Sequence, residues 1–244
     1  MLGQPVTEEI ETLDNSPPGP HAPRELVEPI DRYDISSPSF LEENVVVTDF
    51  GQSYDITAPP EGYTPGTALH YFSPEACFDK IITPASDIWG LACTIFEIRA
   101  GFPLFTSFLA SESSVLQEIV SMLGKLPEPW WSKFEKRHVW FEENGKPKVQ
   151  VNGEPKFPAM KTSIRKLFQM VGDGEKVGTE RDGPMMEPPG TRLEEEELEL
   201  LSNLLEKMLR YQPEKRITIK EVVRHPWFEY TPRACMRFDS CEIA

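Results

Sequence analysis

Apolar residues recur at helical spacing through residues 84–100, where Ile88, Leu91, Ala92, Ile95 and Phe96 share one face and Trp89 and Cys93 hold the opposite side. A helix that is apolar almost all round is buried on every side. Thr83 stands where a cap belongs, Pro84 where a first turn tolerates proline, and Gly101 where a helix closes. The segment is too short to span a bilayer, and Asp87, Glu97 and Arg99 charge its ends. Residues 193–210 repeat the pattern in amphipathic form, with Leu198, Leu201, Leu205, Met208 and Leu209 inward. Glu194 to Glu197 precede that stripe and read as a solvated helix start that favours the dipole. Thr218-Ile219-Lys220-Glu221 is a capping box opening a last helix, with Ile219, Val222 and Val223 inward.

Strand signals are few. Val45-Val46-Val47 reads as a short buried strand, and Gln52 to Ile56 as a possible second one. Between them lies Thr48-Asp49-Phe50-Gly51. An aspartate at a strand end, followed by an apolar anchor and a glycine, is one way to aim a metal-binding carboxylate into a cleft; a plain turn is the other reading. Residues 1–44 are rich in proline and acids and read as a loosely ordered segment, pinned at most by Leu26, Val27 and Ile30. Residues 128–190 read as a polar insert with Trp130, Trp131 and Trp140, and residues 231–244 as a flexible tail.

Composition narrows the function. A net charge of −15 over 244 residues argues against a nucleic-acid or anionic-membrane surface. With 39% hydrophobic and 10% aromatic residues, part of the chain builds a core. Cys77, Cys93, Cys235 and Cys241 lack metal-ligand spacing, and Met1-Leu2-Gly3-Gln4 opens no signal peptide. The expectation is an intracellular protein, with cytoplasm and nucleus both open because no Lys/Arg-rich targeting run is present.

Four short motifs then appear in order: Asp49-Phe50-Gly51, Gly66-Thr67, Ser73-Pro74-Glu75 and Asp87-Ile88-Trp89. Their order and spacing resemble a eukaryotic protein kinase. Val115 to Leu123 with Gly124-Lys125-Leu126-Pro127 resembles a helix and turn of the branch holding cyclin-dependent, MAP and SR-protein kinases. Pro213-Glu214-Lys215-Arg216 and His225-Pro226-Trp227-Phe228 are similar to that branch's last helices. Ser73 stands where the family usually has alanine, and Ala92 where it has glycine.

The resemblance implies a mainly α fold with a small β element: a kinase C-terminal lobe over residues 45–230. It implies a transferase, a Ser/Thr kinase using ATP and Mg²⁺ on a protein substrate. Asp49 would hold Mg²⁺, with Phe50 and Gly51 beside it against the nucleotide. Thr67 would sit in the substrate-docking loop. Glu75 would pair with Arg216 as a brace, and Asp87 would accept backbone N–H groups of the catalytic loop. Upstream of Asp49, however, the sequence holds no lysine, no glycine-rich loop and no His-x-Asp or Arg-Asp catalytic loop. The expectation is therefore a C-lobe fragment with no catalytic residue of its own, inactive alone. The alternative is a catalytically dead, pseudokinase-like module that holds a protein partner. Neither reading involves nucleic acid or membrane.

Overall fold

The computed structural model describes residues 7–9, 17, 19–23, 25–27, 46–63, 66–105, 111–148, 158–172 and 192–230. The chain forms two compact units, Met1–Asp49 with Glu180–Pro184, and Phe50–Thr179 with Met185–Ala244.

In the first unit, strands β1 (Thr7–Glu9) and β2 (Glu25–Val27) pair antiparallel, Thr7 opposite Val27 and Glu9 opposite Glu25. The expected loose segment thus holds a short ribbon. Leu26 and Val27 do not pin it to a core: they are exposed, and among the described residues no apolar layer covers either face of the two three-residue strands. Ile30 lies outside the described residues. Over Val46 and Val47, the described part of the expected strand at Val45-Val46-Val47, no strand is formed. Val46 and Val47 are unpaired and exposed, and Val45 lies outside the described residues. β-branched composition favours a strand only where a neighbouring strand accepts its ladder.

In the second unit the expected strand at Gln52 to Ile56 is also absent. Phe50–Gln52 forms a 3₁₀ turn, with the Ser53 N–H donating to the Phe50 carbonyl at 2.9 Å. Asp55 accepts from the Thr57 N–H and hydroxyl at 2.9 and 2.7 Å. Such side-chain bonds give the backbone a local alternative to a sheet.

The helices of this unit follow in order: α1 (Pro74–Phe78), α2 (Pro84–Ala100), α3 (Glu112–Leu123), α4 (Trp130–Lys133), α5 (Arg137–Trp140), α6 (Ile164–Gln169), α7 (Glu195–Met208) and α8 (Ile219–Val222). The expected limits of α2 hold. The Ser86 hydroxyl accepts from the Thr83 N–H at 3.1 Å, and Gly101 closes the helix at φ 80°. Trp89, Ala92, Cys93 and Phe96 are fully buried, and α2 packs directly on α7. Trp89 stacks on Phe105 at 5.9 Å, and Phe96 meets Phe168 at 4.7 Å.

Three expectations need correction here. The insert is part of the core: Trp130, Trp131, Phe134, Phe141, Ile164 and Phe168 are buried in the same cluster as α2. Its mixed polarity hid this because each piece is about one turn long, too short to show a period. Glu197 is not solvated. It is buried and paired with Arg99 of α2, whose Nε donates at 2.6 Å and whose Nη2 donates at 3.1 Å. In α8 only Val222 points inward, while Ile219 and Val223 are exposed, since a single turn has one inward position. The capping box itself forms, with Glu221 accepting from the Thr218 N–H at 2.7 Å. The expected tail, 231–244, lies outside the described residues.

Candidate functional site

An open cleft of about 530 Å³ runs along the N-terminal half of α2. The segment after Phe50 forms one wall through Tyr54, Tyr63 and Thr67, and Phe72, Ser73 and Ala76 form another. Asp87 and Leu91 of α2 make its floor. Tyr54 and Tyr63 hold each other edge-on at 4.8 Å. The Tyr63 hydroxyl donates to the Gln52 carbonyl at 2.7 Å, and the Tyr54 hydroxyl to the Ile82 carbonyl at 3.3 Å. Tyr71 donates to Glu97, and that bond with partial burial pushes the phenol up to about 12, so it stays neutral.

Behind the cleft sits a buried ion pair. Arg216 and Glu75, distant in sequence, form a bidentate buried pair: Nη1 donates to Oε1 at 2.7 Å and Nη2 to Oε2 at 2.6 Å. The other guanidinium donors reach the carbonyls of Ala85 at 2.7 Å, Arg210 at 2.8 Å and Tyr211 at 3.2 Å. The guanidinium also lies over Trp89, 5.1 Å from its ring centre. Ser86 completes the carboxylate, donating to Glu75 Oε1 at 2.8 Å. Burial by itself raises the Glu75 carboxyl; the bonds and charge of Arg216 outweigh it and hold the group below its ordinary value. The pair clamps α1 and the start of α2 to the turn after Pro213–Lys215.

Asp87 is the opposite case. It lines the cleft, and among the described residues no group donates to its carboxylate. It is open to solvent by area yet crowded enough that desolvation raises its carboxyl above the ordinary value. Close by, the Ser73 hydroxyl is buried and has no partner among the described residues. Thr67 is exposed at the cleft rim.

A raised carboxyl costs stability above its folded pKa and nothing below its unfolded one. Asp87→Asn should therefore leave stability unchanged at neutral pH or raise it by up to about 0.5 kcal/mol. The difference should close as the pH falls through the carboxylate range. Thermal melts near neutrality and in mild acid would show it, and a loss above about 1 kcal/mol would reveal a donor to the carboxylate.

Asp49 ends the first unit, exposed and with left-handed backbone at φ 62°, while Phe50 and Gly51 begin the second in a 3₁₀ turn. Phe50 is itself exposed. Among the described residues no three His, Cys, Asp or Glu side chains gather as a metal site. Asp49 therefore brings one oxygen donor, which is not by itself a site for Mg²⁺.

Reasoning from sequence missed Ser86, Arg99 and Glu197. For Ser86 the signal existed, because a serine three residues after a capping threonine lies beside whatever the first turn faces. For Glu197 no signal existed, since only packing of α7 on α2 distinguishes it from its acidic neighbours.

Comparison with known proteins bears on this arrangement. The family model described as "Protein kinase domain" matches residues 39–228. The chain is 26% identical over 191 residues to the dual specificity protein kinase CLK1 of Mus musculus, covering 78% of this chain and 34% of that protein. It is 27% identical over 194 residues to dual specificity tyrosine-phosphorylation-regulated kinase 3 of Homo sapiens, covering 79% and 31%. It is 29% identical over 195 residues to cell division control protein 2 homolog 3 of Trypanosoma brucei brucei, covering 77% and 49%. The chain thus spans about a third of the length of the first two and half of the last. Among the described residues no helix is long and apolar enough to cross a membrane.

Proposed function

The chain belongs to the protein kinase family, in its CMGC branch, and on that premise we propose that residues 45–230 are the C-terminal lobe of a Ser/Thr kinase, flanked by a proline-rich segment (1–44) and a tail (231–244). The observation that carries this reading is the buried Glu75–Arg216 pair. It joins two segments 141 residues apart, the two that the motif order singles out as brace partners.

In this reading the protein as a whole transfers the γ-phosphoryl group of ATP to a protein hydroxyl, and these residues are its substrate-side half. Phosphoryl transfer is mostly positioning and charge stabilisation. Thr67 on the cleft rim would meet the substrate segment, while Asp87 and the Glu75–Arg216 pair would hold the floor beneath it. Asp49 would supply one metal oxygen beside Phe50 and Gly51. The groups that grip the phosphates and take the proton are absent upstream of Asp49 in this sequence. The 244 residues alone are therefore assigned no transfer of their own. A second reading, a partner-binding module without catalysis, is favoured by one observation: the open cleft whose carboxylate has no donor among the described residues.

Titrating purified residues 1–244 with ATP and Mg²⁺ tests the nucleotide half of the proposal. The expected isotherm does not saturate at millimolar ATP, and Asp49→Ala leaves it unchanged. Micromolar binding lost in Asp49→Ala would place a complete nucleotide site within these residues and overturn the assignment.

A further inference from the structure

The 3₁₀ turn at Pro226–Glu229 packs on α7 and is fastened there through a histidine that can serve only while neutral. His225 is buried, and both its ring nitrogens are engaged. Nδ1 accepts from the Trp227 N–H at 3.3 Å, so that nitrogen carries no proton. Nε2 therefore holds the ring's one proton and donates it to Oδ1 of Asn203 on α7, at 3.1 Å. The two bonds fix a single neutral tautomer. Beside them Trp227 packs against the core, and the Tyr230 hydroxyl donates to Glu194 at 3.0 Å. The surrounding charges do not welcome a second proton. Lys207 of α7 acts directly on the ring, and Glu221 of α8 faces Lys207. Glu194, Glu196 and Glu197 act on Tyr230, at the other end of α7. Arg224 and Glu229, near His225 in sequence, are exposed. Burial first, and the charge of Lys207 second, hold the imidazole below its ordinary value.

We propose that His225 is an acid-released latch: a solvent proton taken up on Nδ1 removes the acceptor of the Trp227 N–H, and the turn from Pro226 to Tyr230 lets go of α7 while the rest of the helical unit stays folded. The protonated ring has two donors and no acceptor, so it faces the Trp227 N–H donor to donor. It also carries a desolvated charge beside Lys207, with no carboxylate among the described residues acting on it. The turn can open alone because few bonds tie it down, whereas Leu201, Leu204 and Leu205 of α7 are buried in the core without it. The direction in pH follows from the lowered value. A histidine buried neutral contributes fully above its unfolded pKa of about 6.5 and loses that contribution as the pH falls below it. That window lies above the carboxylate range in which the Glu75–Arg216 pair fails, so the latch opens first. The inference uses no residue of the cleft and does not depend on the kinase assignment.

The test is amide hydrogen exchange of the full chain at about pH 7.5 and about pH 5.5, on either side of the histidine range and corrected for the intrinsic effect of pH on exchange. Protection of the Trp227, Phe228 and Tyr230 amides should fall about tenfold at the lower pH, the cost of one lost bond and one desolvated charge. The amides of α2 and of the middle of α7 should keep theirs. In His225→Asn a carboxamide oxygen can accept the Trp227 N–H in place of Nδ1, as in an Asx turn, but takes up no proton. Its protection should be the same at both pH values. Nitrogen-15 spectra of the parent check the ring without any variant: His225 should show the Nε2–H tautomer and titrate below a histidine in a short peptide. Unchanged protection at the lower pH overturns the inference, as does an equal loss in His225→Asn or a loss shared by α2. An Nδ1–H tautomer at neutral pH would also overturn it.

Discussion

Arg216→Ala should lower the unfolding free energy of the chain by about 3–5 kcal/mol. The magnitude follows from what remains. Each N–H of the guanidinium has an acceptor, and two of those acceptors are the oxygens of a carboxylate that is almost wholly buried. Without Arg216, Glu75 keeps only neutral donors, the Ser86 hydroxyl and its own backbone N–H, and must either stay charged in a poor solvent or take up a proton. Three backbone carbonyls lose their donor as well. Since domains of this kind are stable by only about 5–15 kcal/mol, the loss is a large fraction of the total. The pair also sets an acid limit. Its folded carboxyl lies below the ordinary value, so its contribution is complete above the unfolded carboxylate pKa and is lost as the pH falls through the folded one. Urea melts at several pH values should show this acid loss in the parent and not in Arg216→Ala. A change within about 0.5 kcal/mol at neutral pH would place the pair among surface bridges of little consequence.

The second large effect is on rate. These 244 residues should transfer no phosphate above the background of Asp49→Ala. Electrostatic stabilisation of the transferring group is usually the largest catalytic term, and it depends on donors held in a site that excludes water. Asp49 is exposed, and no metal-binding group of side chains gathers among the described residues. No lysine precedes Lys80 to grip the phosphates. A missing general base removes roughly another 10²–10⁴-fold. Supporting contacts such as Glu75–Arg216 hold the helical unit in shape and lie away from Asp49 in the sequence motifs.

The long periodic elements were legible. α2 and α7 announced themselves by helical spacing and end signals, and a buried helix apolar nearly all round left little alternative. The Glu75–Arg216 pair was legible only through the order of short motifs, because nothing in either residue's neighbourhood says that the two meet. Elements whose form depends on partners were not. Val46 and Val47 have strand-forming side chains and no strand, since a ladder needs a second chain segment to accept it. Trp130 and Trp131 looked like part of a polar loop, yet tertiary packing drew them into the core beside α2. Glu197 is an acid in the interior: a buried carboxylate is tolerated when an arginine such as Arg99 is brought against it, which sequence spacing does not foretell. Of the candidate site, Asp87, Thr67, Glu75 and Arg216 fall on or directly behind one cleft, while Asp49 belongs to the other unit.

The central claim is that these residues form the supporting half of a kinase and, apart from the metal ligand Asp49, hold none of its transfer machinery. Purified residues 1–244, incubated with labelled ATP, Mg²⁺ and a Ser/Arg-rich peptide, test it most directly, with Asp49→Ala alongside. The account predicts incorporation at the level of that control. Robust incorporation that Asp49→Ala abolishes would contradict it, and would mean that a residue within this chain takes the place of the base.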